Sequence, residues 1–524
     1  MTKGFTQDLS ASFVVFLIAL PLSMGIAIAS GVEPALGLVT AIIGGLVVGA
    51  FGGAPLQISG PSAGLTVLVL QMHSEHGMEK LGAIVIVAGL VQLAAGLLRI
   101  GRQFQAVSPA VIRGMLSGIG VLIIASQFHV MVDDSIHETG LENLIRIPEG
   151  IWKAATDYQD RTHDIAALVG IATLVAMVAW DRFKPRVLKV IPGPLVGAAL
   201  AAGIAAVFAM PVRYVAVPEN LIEIMSFPGW HTLRYMAEPD ILTAGLGLAF
   251  VASAETLLCA TAVSRTHDRG KTNYDRELAV HGIANLLCGL VGVLPLTGVI
   301  SRSTANVEAD ALTRRSAVMH AIWIAGFVLI IPNVLGLVPT SSLAAILVYI
   351  GFKLLNIKAI RSLARFGKPV LGIFLATAVS IVAIDLLKGI VIGLLLSAMR
   401  LMYMMSHVEY WMEKVSEDRI DMHMRGSATF LGLPKLAETI DSVPQGKEVH
   451  FHFDELEFID HACLDAISEF RTRYEANGGK VVVEWEELFS LQTKSLGDEV
   501  AVVEGITLTG EPSPEDEDEA AQED

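Results

Sequence analysis

Apolar runs close to the length of a membrane span recur along this chain, and they limit its fold more than any other feature. Four clear examples, with at most one charged residue each, are SASFVVFLIALPLSMGIAIASG (10–31), LGAIVIVAGLVQLAAGLL (81–98), IAALVGIATLVAMVAW (165–180) and ILTAGLGLAFVASAETLLCATAV (241–263). A helix needs about 20 mainly apolar residues to cross the hydrocarbon core. The mean hydropathy of +0.58 and a charged fraction of only 17% are too apolar for a soluble chain of 524 residues. We predict a polytopic α-helical membrane protein.

The sequence also argues against a signal peptide, a cysteine-based site and an enzyme. The first run follows MTKGFTQD without a clear small-residue cleavage pattern, so we interpret it as a membrane helix and not a signal peptide. Cys259, Cys288 and Cys463 have neither metal-ligand nor redox spacing, which predicts no disulfide framework and no metal site. No nucleophile–base set or nucleotide loop is evident, so we expect neither an enzyme nor a cofactor, apart from a coupling ion.

The composition changes near residue 407. Before it lie the apolar spans (1–407), and after it comes a segment of ordinary soluble polarity (408–510). In that segment EVHFHFDEL and KVVVEW alternate like strands, whereas PKLAETIDSV and HACLDAISEFRTRYEANGG are typical of helices. We predict a small α/β domain there. Much of the formal charge of −16 lies in the tail EPSPEDEDEAAQED (511–524), which we expect to be disordered, and no nucleic-acid partner is expected.

Loop charges predict the orientation in the membrane. KLLNIKAIRSLARFGK (353–368) carries five Lys/Arg and no acid, and RIGRQFQAVSPAVIRG and DRFKPRVLK are also basic. The loop at 133–164 has eight acids against three Lys/Arg. By the positive-inside rule the basic loops, both termini and the α/β domain face the cytoplasm of an inner-membrane protein, with about fourteen crossings.

Two segments are too interrupted to be plain helices. They are GGAPLQISGPSAGLTVLVL (52–70) and GVLPLTGVISRSTANVEAD (292–310), each with a glycine-containing turn, a Pro-Leu pair, a few strand-like residues and a cluster of small and hydroxyl residues. They occupy corresponding places in the two halves of the chain. Paired interrupted spans indicate a transporter site built from inverted repeats. The alternative is a pair of re-entrant loops without a binding role.

The residues of these two segments suit an anion. A helix that begins at membrane depth directs unpaired N–H groups and its positive dipole end into a cavity. Ser62, Ser301 and Ser303 add hydroxyl donors, and Arg302 adds a positive charge with planar donors that match an oxyanion. The alternative for Arg302 is a structural one, in which it snorkels or pairs with Glu308 or Glu255.

Glu255 is the one acid in its apolar run. An ionisable residue there costs roughly 2.5–3.5 kcal/mol on insertion scales and is a functional candidate by default. When protonated it would couple an anion to H⁺, and when ionised it could hold Na⁺. The alternative is a structural hydrogen bond to a neighbouring helix.

With these motifs the sequence resembles the SulP family of anion transporters, which includes sulfate permeases and bicarbonate transporters. The matching stretches are QDLSASFVVFLIALPLSMGIAIASGV, GLVTAIIGGLVVGAFGGAPLQISGPSAG, ASAETLLCATAVSRTH, ELAVHGIANLLCGLVGVLP and ISRSTANVEADALTRRSAV, and FHFDELEFIDHACLDAI is similar to a STAS domain. The resemblance implies seven-plus-seven inverted repeats of about fourteen transmembrane segments, with uracil-permease-like core and gate domains, elevator-type movement and a homodimer to which the STAS domain contributes.

The resemblance also assigns residues to roles. Substrate binding falls on Leu22, Ile26, Ser62, Ala63, Gly64, Ile300, Ser301, Arg302 and Ser303, and cation coupling falls on Glu255, Gly298 and Val299. Related sodium-coupled members often carry Asp at the position of Glu255, which favours H⁺. Asp460 and His461 stand where phospho-switched STAS domains have Ser or Thr, so we expect no such switch.

The predicted function is secondary active transport of a small inorganic oxyanion, sulfate or bicarbonate, coupled to H⁺ or Na⁺. Two alternatives remain: an anion channel or uncoupled exchanger, and a receptor whose STAS domain reports anion occupancy. Arg302 argues against the neutral substrate of a nucleobase permease.

Overall fold

The structure, a computed structural model, describes residues 2–103, 108–137, 139–156, 162–185, 191–216, 225–227, 229–355, 360–361, 363, 365–406 and 408–483. The chain divides into two compact units, Met1–Ser397 and Ala398–Asp524. This division falls inside the last long helix, about ten residues before the predicted boundary at 407. The predicted tail and the end of the predicted STAS domain lie outside the described residues.

The first unit is helical. Its helices are α1 (Thr2–Ala29), α2 (Pro34–Ile43, continued by a π-helical turn Gly44–Val48 and a last turn Gly49–Phe51), α3 (Thr66–Leu97), α4 (Pro109–Met131), α5 (Gly140–Ile145), α6 (Ile147–Thr156), α7 (Thr162–Phe183), α8 (Gly193–Val207), α9 (Trp230–Tyr235), α10 (Pro239–Ser264), α11 (Tyr274–Val291), α12 (Ile300–Glu308), α13 (Arg315–Ile330), α14 (Thr340–Leu355), α15 (Lys368–Ala383) and α16 (Leu386–Ser406). Two short strands, β1 (Ser59–Pro61) and β2 (Leu296–Gly298), interrupt this order.

Seven helices of the described residues are long and apolar enough to cross a membrane. They span Gly4–Ala29, Pro34–Phe51, Ala63–Leu97, Pro109–Met131, His163–Phe183, Pro239–Ser264 and Leu386–Met404, and four shorter apolar helices accompany them. The helical membrane class is thus confirmed, while the count of about fourteen crossings stays a prediction. One of the seven, α3, is broken at Gly77, whose φ of +78° is not helical. Its 32 residues, about 48 Å at 1.5 Å each, exceed one bilayer core.

Helix α11, which leads into β2, is held against α3 by glycines. Gly82, Gly89 and Gly96 face α11 at seven-residue spacing, and Gly282 and Gly289 of α11 face back. A side chain at Gly89 would lie 2.6 Å from Leu286 N and 2.8 Å from Gly282 O. Small residues let the backbones of membrane helices approach closely, which gives dispersion contacts where no hydrophobic driving force exists. This contact fixes α11, and therefore β2, relative to α3.

The second unit contains a four-stranded sheet in the order β3 (Val408–Lys414), β4 (Arg419–Ala428), β5 (Glu448–Ile459) and β6 (Lys480–Val482). The first pair is antiparallel and the other two are parallel. Helices α17 (Leu433–Asp441) and α18 (His461–Ala476) share a core with one face of this sheet, including Met422, Phe451 and Ile467. The predicted strands and helices of this region are confirmed. Its assignment as a STAS domain and its bounds of 408–510 stay predictions.

Candidate functional site

The two interrupted segments meet in the structure. Strands β1 and β2 pair antiparallel, with Ser59 opposite Gly298 and Pro61 opposite Leu296. The pairing is extended by Val299 N–H, which donates to Ile58 O at 2.9 Å. Non-helical backbone at membrane depth survives only where its polar groups find partners inside the protein. The two segments supply those partners to each other, as the correspondence between the two halves of the sequence predicts.

Side chains of neighbouring helices satisfy the remaining backbone groups of this sheet. Asn285 of α11 accepts from Leu296 N–H at 2.8 Å and donates to Leu296 O at 3.1 Å. Thr256 of α10 accepts from Gly298 N–H at 3.2 Å. Asn306 of α12 donates to Leu56 O at 3.0 Å. Buried amide and hydroxyl side chains therefore fix the position of both strands.

Each strand leads directly into a helix start. After β1, Ser62 caps a 3₁₀ turn, Ala63–Leu65, by accepting from Gly64 N–H at 3.1 Å, and this turn continues into α3. After β2, α12 begins at Ile300, and the first N–H to find an intrahelical carbonyl is that of Ser303, at 3.0 Å from Val299 O. The N–H groups ahead of it are the donors that a helix start leaves available.

Glu255 lies against the first of these helix starts. Its Oε1 accepts a hydrogen bond from Ser62 Oγ. Its Oε2 has no hydrogen-bond partner among the described residues. A Cβ at Gly64 would lie 2.6 Å from Oε1 and 2.8 Å from Oε2, so only glycine lets the carboxyl group approach this turn. One carboxyl oxygen thus orders the turn, while the other is buried beside it.

Both helix starts and Glu255 border one cavity of about 1500 Å³. Eight of the twelve predicted site residues line it, namely Leu22, Ser62, Ala63, Gly64, Glu255, Val299, Ile300 and Ser301. The fragments of chain that contribute them are far apart in sequence, from α1, the turn before α3, α10 and the start of α12. Whether these residues bind an anion or a coupling ion stays a prediction.

Three predicted residues lie outside the cavity lining and belong to the surrounding scaffold. Ser303 Oγ accepts from Ile58 N–H at 2.9 Å and donates to Val299 O at 2.8 Å. Gly298 lies within β2, where a side chain would collide with Gln57. Ile26 is packed in the main hydrophobic core. These three residues place the lining groups without facing the cavity.

Arg302 is the fourth predicted residue outside the cavity lining, and it is 0% exposed. Its Nη2 donates to Ser23 Oγ of α1 at 3.0 Å, and its Nη1 lies against Gly60 of β1. Nε and Nη1 have no hydrogen-bond partner among the described residues, and no ion pair joins Arg302 to Glu255 or Glu308 there. Direct contact between the guanidinium and an anion in the cavity is therefore not part of this geometry, because the Arg302 side chain is directed toward Ser23 and Gly60 and does not line the cavity.

Sequence reasoning missed the charged groups farther along the cavity. Its lining also includes Arg113, Lys184, Arg265 and Lys353, together with Asp181 and Glu308. Tyr349 Oη donates to Asp181 Oδ2 at 2.6 Å, and Lys353 Nζ lies 3.5 Å from the same oxygen. Three of these cations belong to the basic loops that predict the orientation, which was the signal available in the sequence.

The sulfate permease family matches residues 5–377 of the chain. The chain is 30% identical over 406 residues to the "Putative sulfate transporter YvdB" of Bacillus subtilis, covering 75% of this chain and 73% of that one. It is 24% identical over 430 residues to the bicarbonate transporter BicA of Picosynechococcus, covering 78% and 72%. A structure of the murine Solute Carrier 26 family member A9 anion transporter in the inward-facing state matches with a TM-score of 0.77 at 14% identity, covering 94% of this chain and 87% of that one.

These relatives are transporters, so the prediction that the chain is not an enzyme is confirmed. The multi-pass membrane class agrees with them. The resemblance read from the sequence motifs is likewise confirmed, since the matched range holds both interrupted segments and Glu255. The chain belongs to the sulfate permease family.

Proposed function

We propose that this protein is a secondary active transporter that moves sulfate or bicarbonate across the inner membrane, coupled to H⁺ or Na⁺ by an elevator-type movement. The observation that carries the proposal is the antiparallel pairing of β1 with β2, which brings two helix starts and one carboxyl group to a single cavity. The names of the relatives support the substrate class, since they include sulfate and bicarbonate transporters.

The anion site is assigned to the two helix starts. Donors there are the N–H groups at the beginning of each helix and the hydroxyl group of Ser301. Ser62 also lines the cavity, and its hydroxyl group donates to Glu255. Ala63 and Ile300 complete the inner wall without adding charge. A divalent or monovalent oxyanion suits this arrangement because backbone donors and dipoles are fixed before it arrives.

Arg302 contributes through its charge and not through contact. The guanidinium is buried with no acidic partner among the described residues, and an isolated buried charge costs several kcal/mol. An anion at the start of the same helix would offset part of that cost. The anion therefore balances the charge of Arg302 from the other side of the first helical turn. This arrangement favours a charged substrate over a neutral one.

Glu255 is assigned to coupling. Its Oε2 is free of hydrogen bonds among the described residues, and its Oε1 is tied to Ser62, a residue of the anion site. A proton or Na⁺ on this carboxyl group removes a negative charge next to the anion. Occupation by the cation then favours occupation by the anion, which is the thermodynamic condition for symport.

The cavity opens toward the basic loops, since Arg113, Lys184 and Lys353 line it. With those loops in the cytoplasm, the conformation faces inward, and the structural relative bears the same description. The helix starts and α10 form one wall, while α4, α7 and α14 supply residues of the other. A sliding movement of the first wall past the second would carry the site to the outer face. Two such chains would form the homodimer, with the STAS domain contributing to the contact.

Uptake into proteoliposomes tests this function. Labelled sulfate and labelled bicarbonate are each supplied under an inward Na⁺ gradient, an inward H⁺ gradient, both gradients and neither. We expect accumulation above equilibrium for one anion under one gradient. Fast equilibration that ignores both gradients, or a chloride conductance, would instead establish a channel or uncoupled exchanger.

The coupling role has a matched pair of variants. Glu255→Gln keeps the size of the side chain and removes its ionisation, so uptake should no longer respond to the cation gradient. Glu308→Gln makes the same change elsewhere on the lining of the cavity and should retain the response. Gradient-driven accumulation by Glu255→Gln would exclude Glu255 as the coupling residue.

A further inference from the structure

The outer face of the sheet in the second unit carries a row of polar and aromatic side chains that transport does not explain. One face is closed by the core that contains Met422 and Phe451. On the other face lie residues of alternate register: Trp411 and Glu413 of β3, Asp421 and His423 of β4, and His450 and His452 of β5. In a sheet, side chains two residues apart share a face. The polar residues therefore form a single surface on three neighbouring strands.

Within this surface one group stands at metal-ligand spacing. Asp421, His423 and His452 each offer one donor atom, and these atoms lie within 4.8 Å of one another. His423 and His452 are register partners on adjacent parallel strands, and Asp421 is two residues before His423 on the same face. Among the residues that the structure describes, no other set of three His, Cys, Asp or Glu side chains converges in this way.

A fourth donor is close. Glu413 of β3 is the register partner of Asp421, and its Oε2 lies 4.0 Å from His423 Nε2. Two imidazoles and two carboxylates are a ligand set that suits zinc and its neighbours in the first transition series better than magnesium or calcium, which prefer oxygen alone. Ligands around a tetrahedral ion would be about 3.3 Å apart for bonds of about 2.0–2.1 Å, so the side chains must draw together by roughly 1 Å.

The rings of the two histidines are already oriented. His423 stacks between Trp411 and His452, with ring centroids 5.2 Å and 4.7 Å away and interplanar angles of 10° and 16°. The β4–β5 register is regular up to this pair and then shifts between His423 and Arg425. Such irregularities re-aim side chains and occur frequently beside functional sites.

The carboxylate is oriented as well. Arg419 donates to both oxygens of Asp421, at 2.7 Å and 3.0 Å, and His452 Nε2 lies 3.0 Å from Oδ2. These hydrogen bonds fix the position of the carboxylate on the sheet face. Carboxylates that ligate a metal are themselves hydrogen-bonded in this way. His452 would exchange its contact with Asp421 for a bond to the metal.

We propose that Asp421, His423 and His452, with Glu413 as a fourth ligand, form a binding site for a divalent transition-metal ion of the zinc class on the outer face of this sheet. Each of its ligands belongs to the second unit, and none of them is among the residues that line the cavity. One ion bound there links the inner strands β4 and β5 to the edge strand β3. Metal binding would therefore stabilise this sheet.

Cobalt is the probe that tests the site in the whole protein. The full chain is purified in detergent, its affinity tag is removed, and bound metal is stripped with a chelator. Titration with Co²⁺ should give the visible d–d absorption of a four-coordinate ion, saturating at one Co²⁺ per chain, and Zn²⁺ should abolish it. Only the weak spectrum of hydrated Co²⁺ would overturn the proposal, and this measurement requires no variant.

Variants then assign the ligands. His423→Ala and His452→Ala should each weaken Co²⁺ binding by about 100-fold or more, since loss of an outer support alone costs 10–100-fold. His450→Ala is the matched control, because His450 lies on the same strand and face as His452. Its Nε2 lies 3.1 Å from Glu448 Oε1, and it is not one of the proposed metal ligands. Far-UV circular dichroism checks folding, and Asp421→Asn is a third ligand variant with nearly unchanged shape. Equal binding by the His450 and His452 variants would exclude the assigned set.

Discussion

The two interrupted segments correspond in sequence, yet they depend on different parts of the molecule. The first, around β1, is held by side chains of the second: Ser303 accepts from the N–H of Ile58, and Asn306 donates to Leu56 O. The second, around β2, is held by α10 and α11 through Thr256 and Asn285. The second segment is therefore the support on which the first is built, although both contribute a helix start to the cavity.

The chemistry of the two helix starts differs in the same way. The first has small residues and places Gly64 against a carboxyl group, so it suits a site that exchanges a cation. The second carries a permanent positive charge, Arg302, buried one residue after the cavity-lining Ser301. Under the proposed function, the two helix starts would therefore divide coupling and anion attraction between them. This separation leads to four predictions.

The largest effect is expected at Gly64. In Gly64→Ala the new methyl group would lie within 2.8 Å of the Glu255 carboxyl group, so either the turn or the carboxyl must move. Displacement of reacting or binding groups by about 1 Å can cost about 100-fold, and we expect at least that loss in initial uptake rate. Uptake per reconstituted protein is the measurement.

Gly203→Ala is the control for this change. It lies in α8, where a Cβ would meet nothing within 4 Å, so uptake and folding should be unaffected. Near-normal uptake by Gly64→Ala would mean that the carboxyl group can withdraw without cost, and the close contact between the first helix start and Glu255 would lose its functional meaning.

The next effect is expected at Arg302. Arg302→Ala removes the buried positive charge behind the second helix start, and we expect anion affinity to fall roughly 10- to 100-fold, about 1.4–2.8 kcal/mol. Arg302→Lys retains the charge but not the planar guanidinium, so its affinity should lie between those of Arg302→Ala and the unaltered protein. Sulfate and bicarbonate binding by calorimetry measures the affinity directly.

A purely structural role for Arg302 makes a different prediction. Loss of its hydrogen bond to Ser23 would then lower the melting temperature in detergent while leaving anion affinity unchanged. Ser23→Ala removes that hydrogen bond without removing the charge and is the matched variant. If Ser23→Ala and Arg302→Ala reduced affinity equally, the charge would not be the cause.

The third prediction concerns the two asparagines that hold the strands. Asn285→Ala leaves both the N–H and the C=O of Leu296 without their partner, whereas Asn306→Ala leaves only Leu56 O. Each buried polar group without a partner costs about 1–3 kcal/mol, so the loss of stability should be larger for Asn285. Apparent melting temperatures in detergent compare the two. The reverse order would contradict the view that the second segment supports the first.

Much of the candidate site could be predicted from the sequence, and the reason is physical. Proline, glycine and hydroxyl residues in the middle of an apolar run conflict with a plain membrane helix, and unpaired backbone there must find a partner. Two such segments in corresponding places indicate one shared site, and the structure joins them by pairing β1 with β2. Glu255 was accessible because an acid in an apolar span needs a role.

The direction in which the Arg302 side chain points could not be predicted in this way. Successive residues of a helix point about 100° apart, and here Ile300 and Ser301 line the cavity while Arg302 is directed toward α1 and β1. Which side chains face the cavity depends on how α12 packs against α1 and β1, and this packing involves Ser23, nearly three hundred positions earlier in the chain. The cations of the cavity mouth were recognised as loop charges, but their convergence depends on the tertiary arrangement of α4, α7 and α14.

The smallest expected effect distinguishes the roles of two serines of α12. Ser301 lines the cavity, while Ser303 is buried and bonds to Ile58 and Val299. Ser301→Ala removes one hydroxyl donor to the anion, which is worth about 0.5–1.5 kcal/mol, so the apparent KM should rise a few-fold with the melting temperature unchanged. Ser303→Ala should lower the melting temperature and leave the KM of the folded fraction close to its original value. Because both changes delete the same hydroxyl group two positions apart, a rise in KM for Ser303 but not for Ser301 would mean that α12 presents its other face to the substrate.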